Sequence, residues 1–467
     1  MLRSLPRWTF LFGAAPLLCA CSSGAEAPDA EWTAAFSDPS GAAFTLLAVD
    51  PAGAVALAGN FVSQLNLGDV ALPGAASLDN AFVGRLDPDG QVAWGVTGGN
   101  SGGQTATGVA FEPDGDVIVA GGFTTSVDFG TGPLTALSSD VFVARLGAGG
   151  HPVWVKQFSA DDGGPSGAGD STPAGVAVDG AGNIALGGSF SGTLGFGGPP
   201  LFAAAETADT SFVAELDQDG GFVFSQAFGG QGNAVSAVAF DGAGNVFVGG
   251  VDRGSLVIGS GSFTSAGTSG YVAKLTPRGE VTWALQLGGE GTSEVVALAV
   301  DPSGDVLLGG NYGGAITAGN LPPPSTPPAE TGGFLLQISG DGTPQWLTLL
   351  AGTQLGAITA ATGGGALITG AYQGPPSSGQ GALPPLTPPG AFAARVDGQG
   401  SLVRTLVFGT TGINYGGFQG LSSAGTGIGV AGEDAVIAGT FGAPLQIDPT
   451  WLQPVGPGDL FATRRPL

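Results

Sequence analysis

The stretch "GVAVDGAGNIALGGSF" occupies Gly175–Phe190, and the chain writes it repeatedly. "VAFDGAGNVFVGG" follows at Val238–Gly250 and "LAVDPSGDVLLGG" at Leu298–Gly310. Each copy reads as two short Val/Ala/Leu/Phe strands joined by a tight turn of Asp, Gly and Asn or Ser. Aligned on the Asp of this pattern, the copies fall at Asp50, Glu112, Asp179, Asp241, Asp301, Ala361 and Val430, with spacings of 62, 67, 62, 60, 60 and 69 residues. The last two copies have lost the acid. A period of this length with a Gly-rich turn inside it points to a solenoid or a propeller.

A third strand follows each pair after a long variable stretch, as in "NAFVGRLDPDG" (Asn80–Gly90), "SFVAELDQDG" (Ser211–Gly220) and "GYVAKLTPRG" (Gly270–Gly279). A fourth follows its turn, as in "QVAWGVTGG" (Gln91–Gly99) and "EVTWALQLGG" (Glu280–Gly289). Only six fourth strands occur in that order. The seventh is at the other end: "EWTAAFS" (Glu31–Ser37) has the Trp-then-Phe pattern of a fourth strand, and the chain stops after a third, "DLFATRRPL" (Asp459–Leu467). Two ends that complete one sheet predict a closed ring, because an open solenoid ends in caps instead. The expectation is an all-β, seven-bladed β-propeller of four-stranded blades over residues 31–467, closed by pairing residues 31–37 with the C-terminal blade.

Composition agrees with a folded β-protein rich in turns. Of 467 residues 89 are Gly, yet 43% are hydrophobic, too many for a disordered chain. The net charge is −25, and without Arg3 and Arg7 only 10 basic residues stand against 37 acidic ones. No basic stripe exists for nucleic acid or for an anionic lipid surface.

Residues 1–20 read as a separate object. Arg3 and Arg7 precede an apolar run from Trp8 to Ala20, too short to span a bilayer and laid out as a secretory signal. "Leu18-Cys19-Ala20-Cys21" resembles the bacterial lipoprotein signal, which implies that Cys21 becomes the lipidated N-terminus. Residues 21–30 then form a flexible tether, and the absence of Asp after Cys21 resembles lipoproteins sent to an outer membrane. Through the repeat and the "SFVAEL" strand, the chain from 31 to 467 resembles the bacterial seven-bladed β-propeller repeat family (SBBP type) and, more distantly, NHL-type propellers. That resemblance implies an extracytoplasmic propeller at the cell envelope and supplies no catalytic residues.

Chemistry is sparse. Trp32, Trp94, Trp154, Trp283 and Trp346 recur at one place in the unit, with Phe224 as a substitute, and read as packing between neighbouring blades. "DPDG" at Asp87–Gly90 and "DQDG" at Asp217–Gly220 read as hairpin turns rather than calcium loops. Asp161, Asp162 and Asp170 cluster in one loop and are the only calcium candidates; no other cofactor is expected. His151 is the only His, so a triad or a His-ligated zinc site has no basis. "GIGVAG" at Gly427–Gly432 is one Gly-rich match among many, with no helix behind it.

The first-to-second and third-to-fourth turns are short, and the other two connections, on the opposite rim, are long and Pro-rich. Many of the second-to-third connections also carry "xLxFG" or "LxIG", which allows a small extra hairpin. Variable loops on a rigid scaffold are where partners are held. The expected function is therefore a lipid-anchored envelope module that binds or scaffolds protein or glycan, with Tyr312, Tyr372, Tyr415 and Phe418 as exposed aromatic candidates. The alternative is an envelope enzyme acting on polysaccharide through carboxylates in the axial channel. Carboxylates converging there without repeat-equivalent copies would favour that alternative.

Overall fold

The computed structural model describes residues 31–38, 43–74, 79–99, 102–161, 169–204, 210–230, 232–265, 267–322, 331–372, 390–408, 423–447, 450–455 and 458–467. Among them the regular elements are all strands.

Two features of the repeat explain each other. The third strand carries an aromatic at its centre: Phe82, Phe142, Phe212, Tyr271, Phe334, Phe392 and Phe461, all at most 1% exposed. Each pairs with a glycine of the second strand, Gly59, Gly121, Gly188, Gly250, Gly310, Gly370 and Gly439 respectively. In blades 2, 3 and 5 the ring lies over the bare glycine. A Cβ on Gly188 would stand 2.7 Å from the Phe212 ring and collide with the Thr172 carbonyl oxygen. Glycine inside a strand costs stability, and the covering aromatic offsets that cost. A bulge in the first strand flanks the pairing with this glycine in every blade, between Pro173 and Gly175 in the third.

Among the described residues seven sheets of four or five strands result, beside smaller ones. In blade 3 the order is Ser171–Val178, Ile184–Phe190, Thr210–Leu216 and Phe222–Phe228, all antiparallel. Blade 2 precedes it (Gln104–Phe111, Val117–Val127, Leu134–Leu146, Pro152–Phe158), and blade 4 follows (Ala234–Phe240, Val246–Asp252, Ser269–Leu275, Val281–Gly288). The first strand of each blade touches the first strand of the next, and the first strand of blade 7, Ser423–Ala431, touches that of blade 1, Ala43–Val49. That cycle is a closed ring, and the fold is a β-propeller.

Trp32–Phe36 is the outer strand of blade 7. It pairs antiparallel with Asp459–Pro466, Trp32 opposite Arg464 and Ala35 opposite Phe461. The Thr463 hydroxyl donates to the Trp32 carbonyl at 2.8 Å, and Arg465 donates to the Thr33 hydroxyl at 2.8 Å. The expected closure is present. One detail of the repeat alignment differs. Val430 pairs with Ala435 just as Val178 pairs with Ile184, so Ala431 and not Val430 occupies the position of Asp179. The shorter turn of blade 7 hides this shift from a pattern that has lost its Asp.

Neighbouring blades are joined twice. The indole N–H of Trp32, Trp94, Trp154, Trp283 and Trp346 donates to a carbonyl in the third-to-fourth turn of the next blade: Pro88, Ala148, Gln218, Gly340 and Gly398, at 2.8–3.2 Å. The glycine of that turn serves both demands at once. Gly90 has φ +81°, and a Cβ there would meet the Trp32 ring at 2.5 Å. On the other rim, the second-to-third connections form small hairpins in blades 1, 4 and 7: Gln64–Leu67 with Val70–Pro73, Ser255–Ile258 with Gly261–Thr264, and Leu445–Ile447 with Thr450–Leu452. Their alternate apolar residues, Leu65 and Leu67 for example, are buried. Backbone pairs tie several of these connections to the end of the preceding blade, as with Ser37 and Asn66, Gly229 and Val257, and Leu287 and Ala318.

Candidate binding face

The short turns on one rim are self-contained. Asp179 Oδ1 accepts from the N–H of Ala181 and Asn183, at 2.8 Å each, and Gly182 takes φ +85°. Asp50, Asp241 and Asp301 repeat the arrangement. In the third-to-fourth turns Asp217 and Asp397 do the same. These carboxylates build turns, as read from the sequence of the Asp217 loop.

Charge on this rim also follows the repeat. The third strand places a long polar side chain beside the first turn of its own blade. Lys274 Nζ lies 3.1 Å from Asp241 and Arg464 Nε 3.1 Å from Asp434; Arg85 lies 3.8 Å from Asp50. Gln337 donates to Asp305, and Arg395 to the Thr362 carbonyl. Arg145 bonds Asp116 at 2.8 Å and Asp114 at 2.6 Å. For Asp241, burial works against the ionised form, but the hydrogen bonds from Asn245 and Lys274 prevail and hold the carboxyl below the ordinary range.

Two carboxylates depart from this scheme. Glu215 stands where the other blades have Arg, Lys or Gln, and Glu112 stands where four blades have Asp. They are 3% and 4% exposed. Burial, and behind it the neighbouring Asp179, pushes Glu215 up to about 7. Glu112 is pushed up to about 7 chiefly by burial, against the opposing pull of Arg145 and with help from Asp114, Asp116 and Asp179. Their burial closes them to a polymer, so the polysaccharide-hydrolase alternative gains no reachable carboxylate pair from them.

The opposite rim is where the long connections lie. Between blades 5 and 6 it opens into a cavity of about 370 Å³. Asn311 and Tyr312 line it from the end of Val306–Gly313, and Thr331 and Gly332 from the start of Thr331–Ile338. Gly352, Thr353 and Gln354 line it at the junction of the two blades, with Ala371 and Tyr372 from the end of Ala366–Tyr372. Among the described residues no charged side chain lines the cavity. Its walls are fixed. Thr353 Oγ1 donates to the Leu350 carbonyl at 2.7 Å and accepts from Gly333 N, while Asn311 Oδ1 accepts from Leu355 N at 2.9 Å. Thr331 and Gln354 are exposed at the mouth. A second cavity of about 210 Å³ lies at the same level between blades 2 and 3, with Thr105, Phe123, Thr172 and Pro173 among its walls.

The aromatic candidates need correction. Tyr312 and Tyr372 are not exposed: they are 5% and 1% accessible. They occupy the position filled by Phe61, Phe123, Phe190 and Phe441 in other blades, two residues beyond the glycine that receives the third-strand ring. Tyr372 packs edge-on against Phe392 with ring centres 6.0 Å apart, and burial pushes its phenol up to about 12. The two tyrosines are therefore wall and floor of the cavity rather than projecting contacts. Tyr415 and Phe418 lie outside the described residues, as do Cys21 and Asp162. Asp161 and Asp170 are exposed, and Asp170 Oδ1 accepts from Ser138 Oγ at 2.6 Å. Among the described residues no group of three His, Cys, Asp or Glu stands close enough to hold a metal ion. His151 is exposed in its turn.

No protein-family model matches the chain, and no curated protein does. Among solved structures it is similar to the Neurospora crassa Pan2 WD40 domain (10% identity over 92% of this chain and 90% of that one, TM-score 0.44). It is also similar to the Dos1 propeller (11%, 92% and 93%, TM-score 0.42) and to a Synechocystis apocarotenoid oxygenase mutant, Trp149Ala (12%, 93% and 93%, TM-score 0.40).

Proposed function

We propose that the chain is an SBBP-type envelope lipoprotein, held to the membrane by lipid on Cys21, whose propeller binds or scaffolds a partner on the long-connection rim. The observation that carries this reading is the cavity between blades 5 and 6. In a chain of net charge −25 the described residues of its walls carry no charge, and they offer hydroxyls, amides and exposed backbone over two buried tyrosine rings. Uncharged hydrogen-bonding walls of fixed geometry suit a neutral hydroxylated group, such as the end of a glycan. The buried rings and the internal bonds of Asn311 and Thr353 hold that shape before the ligand arrives, which lowers the cost of binding.

The test uses the full-length protein on an array of bacterial envelope glycans, beside Gln354→Trp, which fills the mouth. Wild type is expected to retain a neutral glycan and the variant to lose at least tenfold in affinity, with melting temperature unchanged. Equal retention by both proteins overturns the assignment of the cavity. Cys21→Ser is expected to leave the membrane fraction, and its persistence there would sink the anchor.

A further inference from the structure

At the junction of blades 2 and 3 on the short-turn rim, Glu215 replaces the Arg, Lys or Gln of the other blades and Glu112 replaces the turn Asp. We propose that Glu112 and Glu215, gathered around Asp179, form a proton-operated joint: protonated, they let blades 2 and 3 close as the other blades do, and ionised, they loosen that junction.

The argument starts from the repeat. In blade 4 the turn acid Asp241 meets Lys274, and in blade 1 Asp50 meets Arg85. In blade 3 the turn acid Asp179 meets Glu215, an acid against an acid. Asp179 already spends Oδ1 on two backbone N–H groups and Oδ2 on Asn183, at 2.9 Å. Glu112 reaches the same turn from blade 2, since a Cβ on Gly182 would stand 2.8 Å from Glu112 Oε2. Glu112 Oε1 and Glu215 Oε2 are buried and have no hydrogen-bond partner among the described residues. A buried, unpartnered carboxylate oxygen is costly, and a proton removes both the charge and half of the unmet acceptor demand.

The charged groups acting on Glu112 are Arg145 from the third strand of blade 2, Asp114 and Asp116 from its own turn, and Asp179 from blade 3; on Glu215 it is Asp179. Arg145 is already engaged by Asp114 and Asp116. The values near 7 for both glutamates agree with a transition close to neutrality.

The joint is tested on the full-length protein by thermal melting and hydrogen exchange at pH 5.5 and 8.0, in wild type, Glu112→Gln, Glu215→Gln and the double variant. Glutamine is a safe substitute at 215, because Gln337 holds the equivalent place in blade 5. Wild type is expected to melt lower at pH 8.0 by on the order of 3 °C. Exchange, corrected for its intrinsic pH dependence, should rise in Ser171–Val178 and Thr210–Leu216 but not in Ala234–Phe240 and Ser269–Leu275. The double variant should lose most of the shift in both readouts. An unchanged shift in the double variant, or loosening spread equally over both blades, overturns the proposal. So does full recovery at pH 8.0 on adding millimolar calcium to wild type but not to the double variant, which would assign the pair to a cation.

Discussion

Blades 3 and 4 share a backbone plan and differ at one functional position. Both have an acid in the first turn, Asp179 and Asp241, whose Oδ1 is used in the same way. Opposite it blade 4 has Lys274 and blade 3 has Glu215. The consequences run in opposite directions with pH. Asp241 is held below its ordinary value, so the stability it supplies is present above the unfolded-state value of 3.8 and is lost as pH falls through the folded one. Glu215 is raised from 4.5 to about 7, so the folded state binds more protons than the unfolded state between those values, and stability falls as pH rises through that window. A repeat scaffold thus fixes where a side chain stands, and a single substitution on it sets the chemistry.

That comparison can be broken at three levels. The largest effect is expected where the blades are alike. Phe212→Ala and Tyr271→Ala each remove the buried ring of the residue paired with a second-strand glycine, at about 3–5 kcal/mol. Denaturant unfolding should show the two losses to be of similar size, and a loss below 1 kcal/mol in either would separate that blade from the common packing scheme. Next is Lys274→Glu, which gives blade 4 the charge pattern of blade 3. Removing one partner of a largely buried pair costs about 3 kcal/mol, and the loss should be larger at pH 8 than at pH 5. A pH-independent loss would mean that position 274 matters for packing alone. The smallest effect is expected from Trp154→Phe, which copies Phe224 of the next blade and removes only the bond to the Gln218 carbonyl, at about 1 kcal/mol. Chemical denaturation resolves that difference, and a cost above 3 kcal/mol would show that the indole ring itself carries the junction.

Much of this architecture was legible in the sequence because period, turn and aromatic recur together. The closure was readable from Glu31–Ser37 and Asp459–Leu467, since a surplus fourth strand at one end and a missing one at the other have one simple geometric solution. In blade 7 the sequence pattern is off by one residue, because its turn is shorter and lacks the Asp that marks the register. Tyr312 and Tyr372 look exposed in the sequence because the long connections begin just beyond them. Counted from the glycine of their own strands, they fall on the column of Phe61, Phe123 and Phe190 and belong to the core. Glu215 was visible in "VAEL" beside "VGRL", "VARL" and "VAKL", and no motif search would find it. It becomes informative only when the third strands are stacked and their charges compared. The cavity between blades 5 and 6 left no linear signal, because four strands and a junction supply its walls.

The seam between Trp32–Phe36 and Asp459–Pro466 has a consequence for biosynthesis. Thr463 and Trp32 are 431 positions apart and share a hydrogen bond. A chain made from its N-terminus must therefore keep Trp32–Phe36 unpaired until Asp459–Pro466 has emerged. Six blades can assemble from local segments in the meantime, but the seventh forms only when Asp459–Pro466 is available. A ribosome stalled late, or a protease removing the final strand, leaves a gapped wheel with two raw edges, which is a ready substrate for quality control.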